Sequence, residues 1–175
     1  MRIQLIGSHG TGKSTLLQEY QKRHPEIHQQ DGVSRPIKQC AKDLGLTPYQ
    51  QQYICNRIAH YNWVNSRDIP NFYATRSLLD DIVYSKALGF EDLSNEVYEE
   101  FREMDNSHVI WVYIPIEFDL EDDGVRFSDP SFQIQIDKML KEYAEKLNIR
   151  YHTITGSVEE RINQLEEIVK NSTKN

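Results

Sequence analysis

Eight consecutive residues near the start of the chain, Gly7-Ser8-His9-Gly10-Thr11-Gly12-Lys13-Ser14, restrict its fold more than any other stretch. They fit G-x-x-x-x-G-K-[ST], the phosphate-binding P-loop. Before them, Arg2-Ile3-Gln4-Leu5-Ile6 reads as a short strand. After them, Ser14-Thr15-Leu16-Leu17-Gln18-Glu19-Tyr20 reads as the opening of a helix, with Leu16, Leu17 and Tyr20 able to face a core. Strand, glycine-rich turn and helix start are the geometry a triphosphate needs. The glycines let backbone N–H groups curl inward, and the helix N-terminus adds its positive end. The expected nucleotide-binding residues are Gly7, Ser8, His9, Gly10, Thr11, Gly12, Lys13, Ser14 and Thr15. Lys13 is expected to reach the β- and γ-phosphates, and the Ser14 hydroxyl to ligate Mg²⁺. His9 occupies a variable position of the motif and is not expected to act in chemistry. The competing reading, a glycine-rich β–α turn with no ligand, gives no reason for Lys-Ser at its end.

The rest of the chain alternates strand and helix patterns about five times. Polar Glu26–Gln30 is a short strand candidate, followed by the turn Asp31-Gly32-Val33-Ser34-Arg35-Pro36 and a helix to about Gly45. Thr47-Pro48-Tyr49-Gln50 opens a long helix to Arg67, with Thr as N-cap, Pro at the first position and Gln at the third. Ile54, Ile58, Tyr61 and Val64 share one of its faces. Phe72-Tyr73-Ala74 is a brief strand that ends in Thr75-Arg76, and Ser77 to about Gly89 is helical. Asn95 to Met104 reads as a further helix, and His108–Ile114 as a buried parallel strand, nearly continuous in apolar residues. Asp129-Pro130 starts a helix to Leu147, Arg150–Ile154 is the last strand, and Ser157-Val158-Glu159-Glu160 is a capping box opening the final helix. This pattern predicts an α/β sandwich around a mostly parallel sheet, in a single domain over 1–170 with a frayed tail at 171–175.

At 175 residues the chain can bury one sizeable core. Its net charge of −7 weighs against a dedicated duplex-DNA binder, while a small anionic ligand needs only the local positive potential of the P-loop. Cys40 and Cys55 form no C-x-x-C pattern and read as reduced thiols. No run approaches membrane-spanning length, and the first strand leaves no room for a leader, so the expected setting is cytoplasmic.

A P-loop does not by itself separate kinases from other nucleotide hydrolases, and other stations must do so. Asp31, just past the second strand, is placed to accept the proton of an attacking hydroxyl; an Asp-Gly turn residue is the equal alternative. Arg76 stands at the carboxyl end of a strand, where ligands of open α/β sheets collect, and suits a phosphate or a developing negative charge; a surface arginine or a structural ion pair is the alternative. Arg35 has a similar candidate role in binding substrate. Between the fourth strand and its helix, the loop of about 117–130 contains Asp122-Asp123-Gly124-Val125-Arg126, which suggests a lid closing Arg126 over the phosphates; a solvated acidic loop is the alternative. Asp80 and Asp81 read as exposed or helix-start residues, and the aromatics of the long middle helix as core.

In combination, Gly7 to Ser14, the Asp31–Arg35 turn, Arg76-Ser77 and Asp122 to Arg126 resemble the small P-loop nucleoside and nucleotide kinases, typified by the ribosylnicotinamide kinase-like AAA-type ATPase domain that many phages encode. The resemblance covers Arg2 to about Val169. It implies a three-layer sandwich of P-loop NTPase topology, a five-stranded parallel sheet with the P-loop strand central, and ATP and Mg²⁺ as cofactors. It also implies Lys13, Asp31, Arg76 and Arg126 as catalytic groups, with Asp31, Arg35 and Arg76 on the acceptor. A phage origin would place the protein in a host cytoplasm. In such kinases the third strand usually ends in an acid followed by Arg; here the pair is Thr75-Arg76. The expected activity is γ-phosphoryl transfer from ATP to a nucleoside, nucleoside monophosphate or related small acceptor. Alternatives are a kinase acting on a modified base or end within DNA, nucleic acid being the less favoured partner, and a slow or non-catalytic ATP-binding regulatory module. Homodimerisation is left open.

Overall fold

The computed structural model describes residues 1–119 and 129–172. In chain order the elements are β1 (Arg2–Ile6), α1 (Lys13–Arg23), β2 (His28–Gln30), α2 (Ser34–Ala41), α3 (Pro48–Asn65), β3 (Phe72–Ala74), α4 (Leu78–Ala87), α5 (Glu91–Arg102), β4 (Val109–Tyr113), α6 (Pro130–Lys146), β5 (Tyr151–Thr153) and α7 (Val158–Ser172). The strands form one parallel sheet in the order β2-β3-β1-β4-β5, so the P-loop strand is central, as expected.

Side-chain alternation along the strands divides the core into two layers. Ile3 and Leu5 of β1, Tyr73 and Val112 face α1 and α7, where they meet Leu16, Leu17, Tyr20, Ile162 and Leu165. Ile6, Trp111 and Tyr113 face the opposite way, toward Trp63 of α3, Leu79 and Val83 of α4, Phe101 of α5 and Ile136 and Leu140 of α6. The three-layer α/β sandwich follows from this division.

Local signals start several helices. Thr47 and Gln50 form the reciprocal capping box at α3 with Pro48 behind it, Ser77 and Asp80 form one at α4, and Asp129 caps α6 ahead of Pro130.

Two expectations change. On α3 the anticipated apolar face is not the buried one: Tyr61 is 66 % and Val64 41 % exposed, while Gln52, Cys55, Asn56 and Trp63 are buried. The helix lies against α4 through a polar relay, in which Gln52 Nε2 donates to Asn56 Oδ1 at 2.7 Å and Asn56 Nδ2 to Ser85 Oγ at 3.0 Å. Paired amides can be buried without penalty, and apolar periodicity does not reveal them. On α7, Val158, which the helical period sets inward with Ile162 and Leu165, is exposed, while Arg161 is buried beside Ile162.

Candidate active site

The phosphate loop owes its shape to three glycines at positive φ: Gly7 at 149°, Gly10 at 78° and Gly12 at 86°. At Gly7 a Cβ would lie 2.5 Å from the Ile114 carbonyl oxygen, so the loop leaves the sheet where only glycine fits. Gly12 is the N-cap of α1 and has no side chain to satisfy the first N–H groups of the helix, which are left for an anion. Thr11 Oγ1 donates to the Ser8 carbonyl at 3.0 Å and closes the turn. Lys13 Nζ arches over the loop and donates to the carbonyls of Gly7 at 2.6 Å and Ser8 at 2.7 Å.

Two helices behind the sheet hold this loop at His9. The His9 backbone N–H donates to Tyr84 Oη at 3.1 Å, and the His9 ring nitrogen Nδ1 shares a second hydrogen bond with the same hydroxyl at 3.0 Å. Gln133 Nε2 of α6 donates to the His9 carbonyl at 2.7 Å. On the other side of the loop, Arg161 of α7 reaches the Thr11 carbonyl at 2.8 Å. No local signal in the sequence points to Tyr84, Gln133 or Arg161, because each lies far along the chain from its partner.

The opposite wall of the site grows from the ends of β2 and β3. Their register pairs Gln30 with Ala74, so the residues that follow, Asp31 and Thr75, stand side by side. Thr75 Oγ1 donates to Asp31 Oδ1 across 3.4 Å, and Gln29 Nε2 lies 3.4 Å from Asp31 Oδ2. Asp31 itself is exposed to the cavity mouth.

Arg76 is more constrained than a mobile phosphate-seeking arginine. Its Nε and Nη2 donate to Asp81 Oδ1 at 2.9 and 2.7 Å, its Nη1 lies 3.5 Å from Ser34 Oγ, and its guanidinium sits 4.8 Å from the centre of the Tyr84 ring. Burial works against the charge, but the carboxylates of Asp81 and then Asp80 outweigh it and hold the guanidinium above its ordinary pKa. Asp80 and Asp81 do belong to the first turn of α4, yet they are not exposed: Asp80 is 2 % accessible and Asp81 0 %. Asp80 Oδ2 accepts from the N–H and Oγ of Ser77, both at 2.7 Å. It also lines the cavity, and so brings a carboxylate to a region where the β3 end supplies only Thr75.

These walls enclose a cavity of about 490 Å³ lined by the phosphate loop from Gly7 to Thr15 (Ser8 excepted) and by Asp31, Gly32, Arg35, Lys38, Thr75, Arg76, Asp80 and Tyr84, among others. Ser8 is buried behind it. A smaller cavity of about 100 Å³ shares His9, Ser34, Lys38, Arg76 and Tyr84 with it and continues toward Gln52 and Cys55 of α3. Burial pushes the Cys55 thiol up to about 11, so it stays protonated near neutral pH. Arg126 and most of the expected lid lie outside the described residues.

Among the described residues no group of three or more His, Cys, Asp or Glu gathers to hold a metal. Mg²⁺ takes one or two protein oxygens and completes its octahedron with water and phosphate. The Ser14 hydroxyl and the Asp80 and Asp31 carboxylates, all lining the cavity, are a hard-oxygen donor set that fits.

No helix of the described residues is long and apolar enough to cross a membrane. A comparison with curated proteins found no match. Among solved structures, the deoxyadenosine kinase from M. mycoides with bound dATP superposes with a TM-score of 0.70 at 16 % identity, over 97 % of this chain and 100 % of that one. Thymidylate kinase from Candida albicans gives 0.72 at 14 % identity, over 98 % and 91 %. The NadR protein in complex with NR gives 0.64 at 12 % identity, over 94 % of this chain and 49 % of that one. Residues 2–161 match the AAA domain family. That match spans every strand of the sheet, and the chain belongs to this AAA domain family, with the fold of the P-loop nucleoside and nucleotide kinases.

Proposed function

We propose that the protein is an ATP- and Mg²⁺-dependent kinase that moves the γ-phosphoryl group to a small nucleoside or nucleotide acceptor. The observation that carries the reading is the single cavity in which a complete P-loop faces Asp31, Thr75, Arg76 and Asp80, with a second chamber opening behind His9 and Tyr84. The main cavity brings the triphosphate loop and Asp31 to one space, as transfer between two bound reactants needs. The charge supports phosphate-bearing ligands: Lys13, Arg35, Lys38 and Arg76 line the main cavity against Asp31 and Asp80, in a chain whose net charge is −7. The ligands bound in two of the similar structures, dATP and NR, are in keeping with this class.

In this mechanism the loop N–H groups and Lys13 bind the β- and γ-phosphates and orient them for in-line attack. Lys13 exchanges its contacts with the Gly7 and Ser8 carbonyls for phosphate oxygens. An acceptor oxygen attacks the γ-phosphorus and its proton passes to Asp31, while the bond to the β-phosphate oxygen breaks and ADP leaves. Arg76, held by Asp81, offers a fixed cation to the equatorial oxygens as charge shifts among them. Ser14, with Asp80 or Asp31, would hold Mg²⁺, which when bound would neutralise charge on the phosphates.

The test is incubation with ATP and Mg²⁺ and a panel of nucleosides, nucleoside monophosphates and modified nucleotides, with products identified by mass spectrometry. Stoichiometric ADP and one phosphorylated acceptor are expected. ATP binding with no product from any acceptor would instead favour a regulatory nucleotide-binding module, the reading that Thr75 at the β3 end supports.

A further inference from the structure

Arg161 touches the phosphate loop at Thr11, and no catalytic role described above uses it. It lies in the first turn of α7 and is 2 % exposed. Its Nη1 donates to the Thr11 carbonyl at 2.8 Å. Its Nη2 donates to Glu117 Oε2 at 2.6 Å, and that oxygen also accepts the Gly156 N–H at 2.9 Å. The guanidinium thus joins three segments: the phosphate loop, the chain leaving β4 and the turn before α7. Its Nε is buried without a partner among the described residues, so it is held in place at some expense in unmet hydrogen bonding.

The Thr11 carbonyl belongs to the same peptide unit as the Gly12 N–H. That unit is planar and trans, so its C=O and N–H point in opposite directions. Holding the carbonyl outward against Arg161 turns the Gly12 N–H toward the cavity, which Gly12 lines. Gly12 can rotate more readily than other residues, with φ at +86° and no Cβ, and a Cβ there would come within 3.2 Å of Arg161 Nη1. A peptide that glycine leaves free to flip is therefore held by a buried cation.

We infer that Arg161 is a positioning residue for triphosphate binding: it fixes the Thr11–Gly12 peptide with its N–H facing the phosphates, and Glu117 holds the guanidinium in place. The inference rests on the proposal that this loop binds ATP. Glu117 also couples the chain leaving β4 to the phosphate loop, because shifting its carboxylate releases one end of the guanidinium.

The experiment uses the full chain and the variants Arg161→Met, Arg161→Lys and Glu117→Gln, with Lys13→Ala as reference. Calorimetry gives the affinities for ATP and, separately, adenosine; thermal unfolding reports the fold; and [¹⁵N]glycine-labelled protein reports the Gly12 amide. Arg161→Met is expected to weaken ATP binding about tenfold or more, the size of one lost charge-assisted hydrogen bond, with adenosine binding unchanged. Arg161→Lys is expected to recover part of the loss by keeping a donor near Thr11, and Glu117→Gln to lose less than Arg161→Met. The Gly12 amide shift on adding ATP to the native protein is expected to shrink in both arginine variants. A folded Arg161→Met, or a folded Arg161→Lys where Met prevents folding, with native ATP affinity and a native Gly12 shift would overturn the inference, while a Lys13→Ala defect measured alongside would leave the ATP reading intact. A native protein that binds no ATP would remove both.

Discussion

Arg76 places two N–H groups, Nε at 2.9 Å and Nη2 at 2.7 Å, on one oxygen of Asp81, whose side chain is wholly buried. The arginine comes from the end of β3 and the acid from the first turn of α4, five residues on. The pair aims the third nitrogen, Nη1, toward Ser34 on the cavity wall. On the proposed reading, in which Arg76 meets phosphate, the cation is held in one direction before any ligand arrives, which removes the need to order a long side chain on binding.

Asp81→Ala is therefore expected to leave a buried guanidinium uncompensated. Loss of one partner from a buried pair costs about 3–5 kcal/mol, and urea unfolding should report a drop of that order. A drop under about 1 kcal/mol would show that Arg76 is satisfied elsewhere.

Lys13→Ala is expected to reduce ATP affinity or turnover by about two orders of magnitude or more, as loss of a preorganised donor does at reacting phosphates. Lys13 is only half-buried and bonds to its own loop, so the unfolding temperature should change little. Calorimetry with unchanged ATP affinity, together with unchanged turnover, would remove the basis of the functional reading.

Asp31→Asn separates chemistry from nucleotide binding. The amide keeps the shape and still accepts from Thr75 Oγ1, but takes no proton. Turnover is expected to fall about 10²–10⁴-fold, with ATP affinity within about a factor of three of native. Equal turnover in a coupled ADP assay would reduce Asp31 to a turn residue.

Much of this arrangement is legible in the chain where its causes are local. The P-loop, the strand at Val109–Tyr113 and the starts at Thr47-Pro48, Asp129-Pro130 and Ser157–Glu160 each depend on residues within a few positions of one another. Asp31 beside Thr75 is half legible: both strand ends can be recognised, but their register cannot. Arg161 on the Thr11 carbonyl is not legible at all, because a charged residue in a capping-box helix reads as solvated and its partner lies 150 positions away. The buried amides of α3 escape for the opposite reason, since a stripe of apolar residues suggests a different face.

Stability is expected to fall between pH 9 and 12. Burial raises the Cys55 thiol from 9.0 to about 11, and burial with the hydrogen bond to Asp137 raises the Tyr113 phenol from 10.0 to about 12. Both groups hold their protons in the fold and lose them more easily in the unfolded chain. Their contribution is thus complete below the unfolded values and disappears as pH rises through the folded ones, at about 1.4 kcal/mol for each tenfold difference in proton affinity between fold and unfolded chain. Unfolding curves for the native protein and Cys55→Ala should diverge first near pH 9. In mass spectrometry after brief alkylation at pH 8, exposed Cys40 should be modified well before Cys55.

Gly7 meets the sheet before it meets any nucleotide. A side chain there would strike the Ile114 carbonyl at 2.5 Å, and the residue already stands at a φ of 149°. The first letter of the phosphate-binding signature is thus required by the fold itself. In a mutational library sorted only for folded protein, with no ATP ever supplied, substitutions at position 7 should vanish as fast as polar substitutions at Ile3, whereas those at Lys13 should persist. Deep sequencing of such a library would divide the motif into letters kept for architecture and letters kept for chemistry.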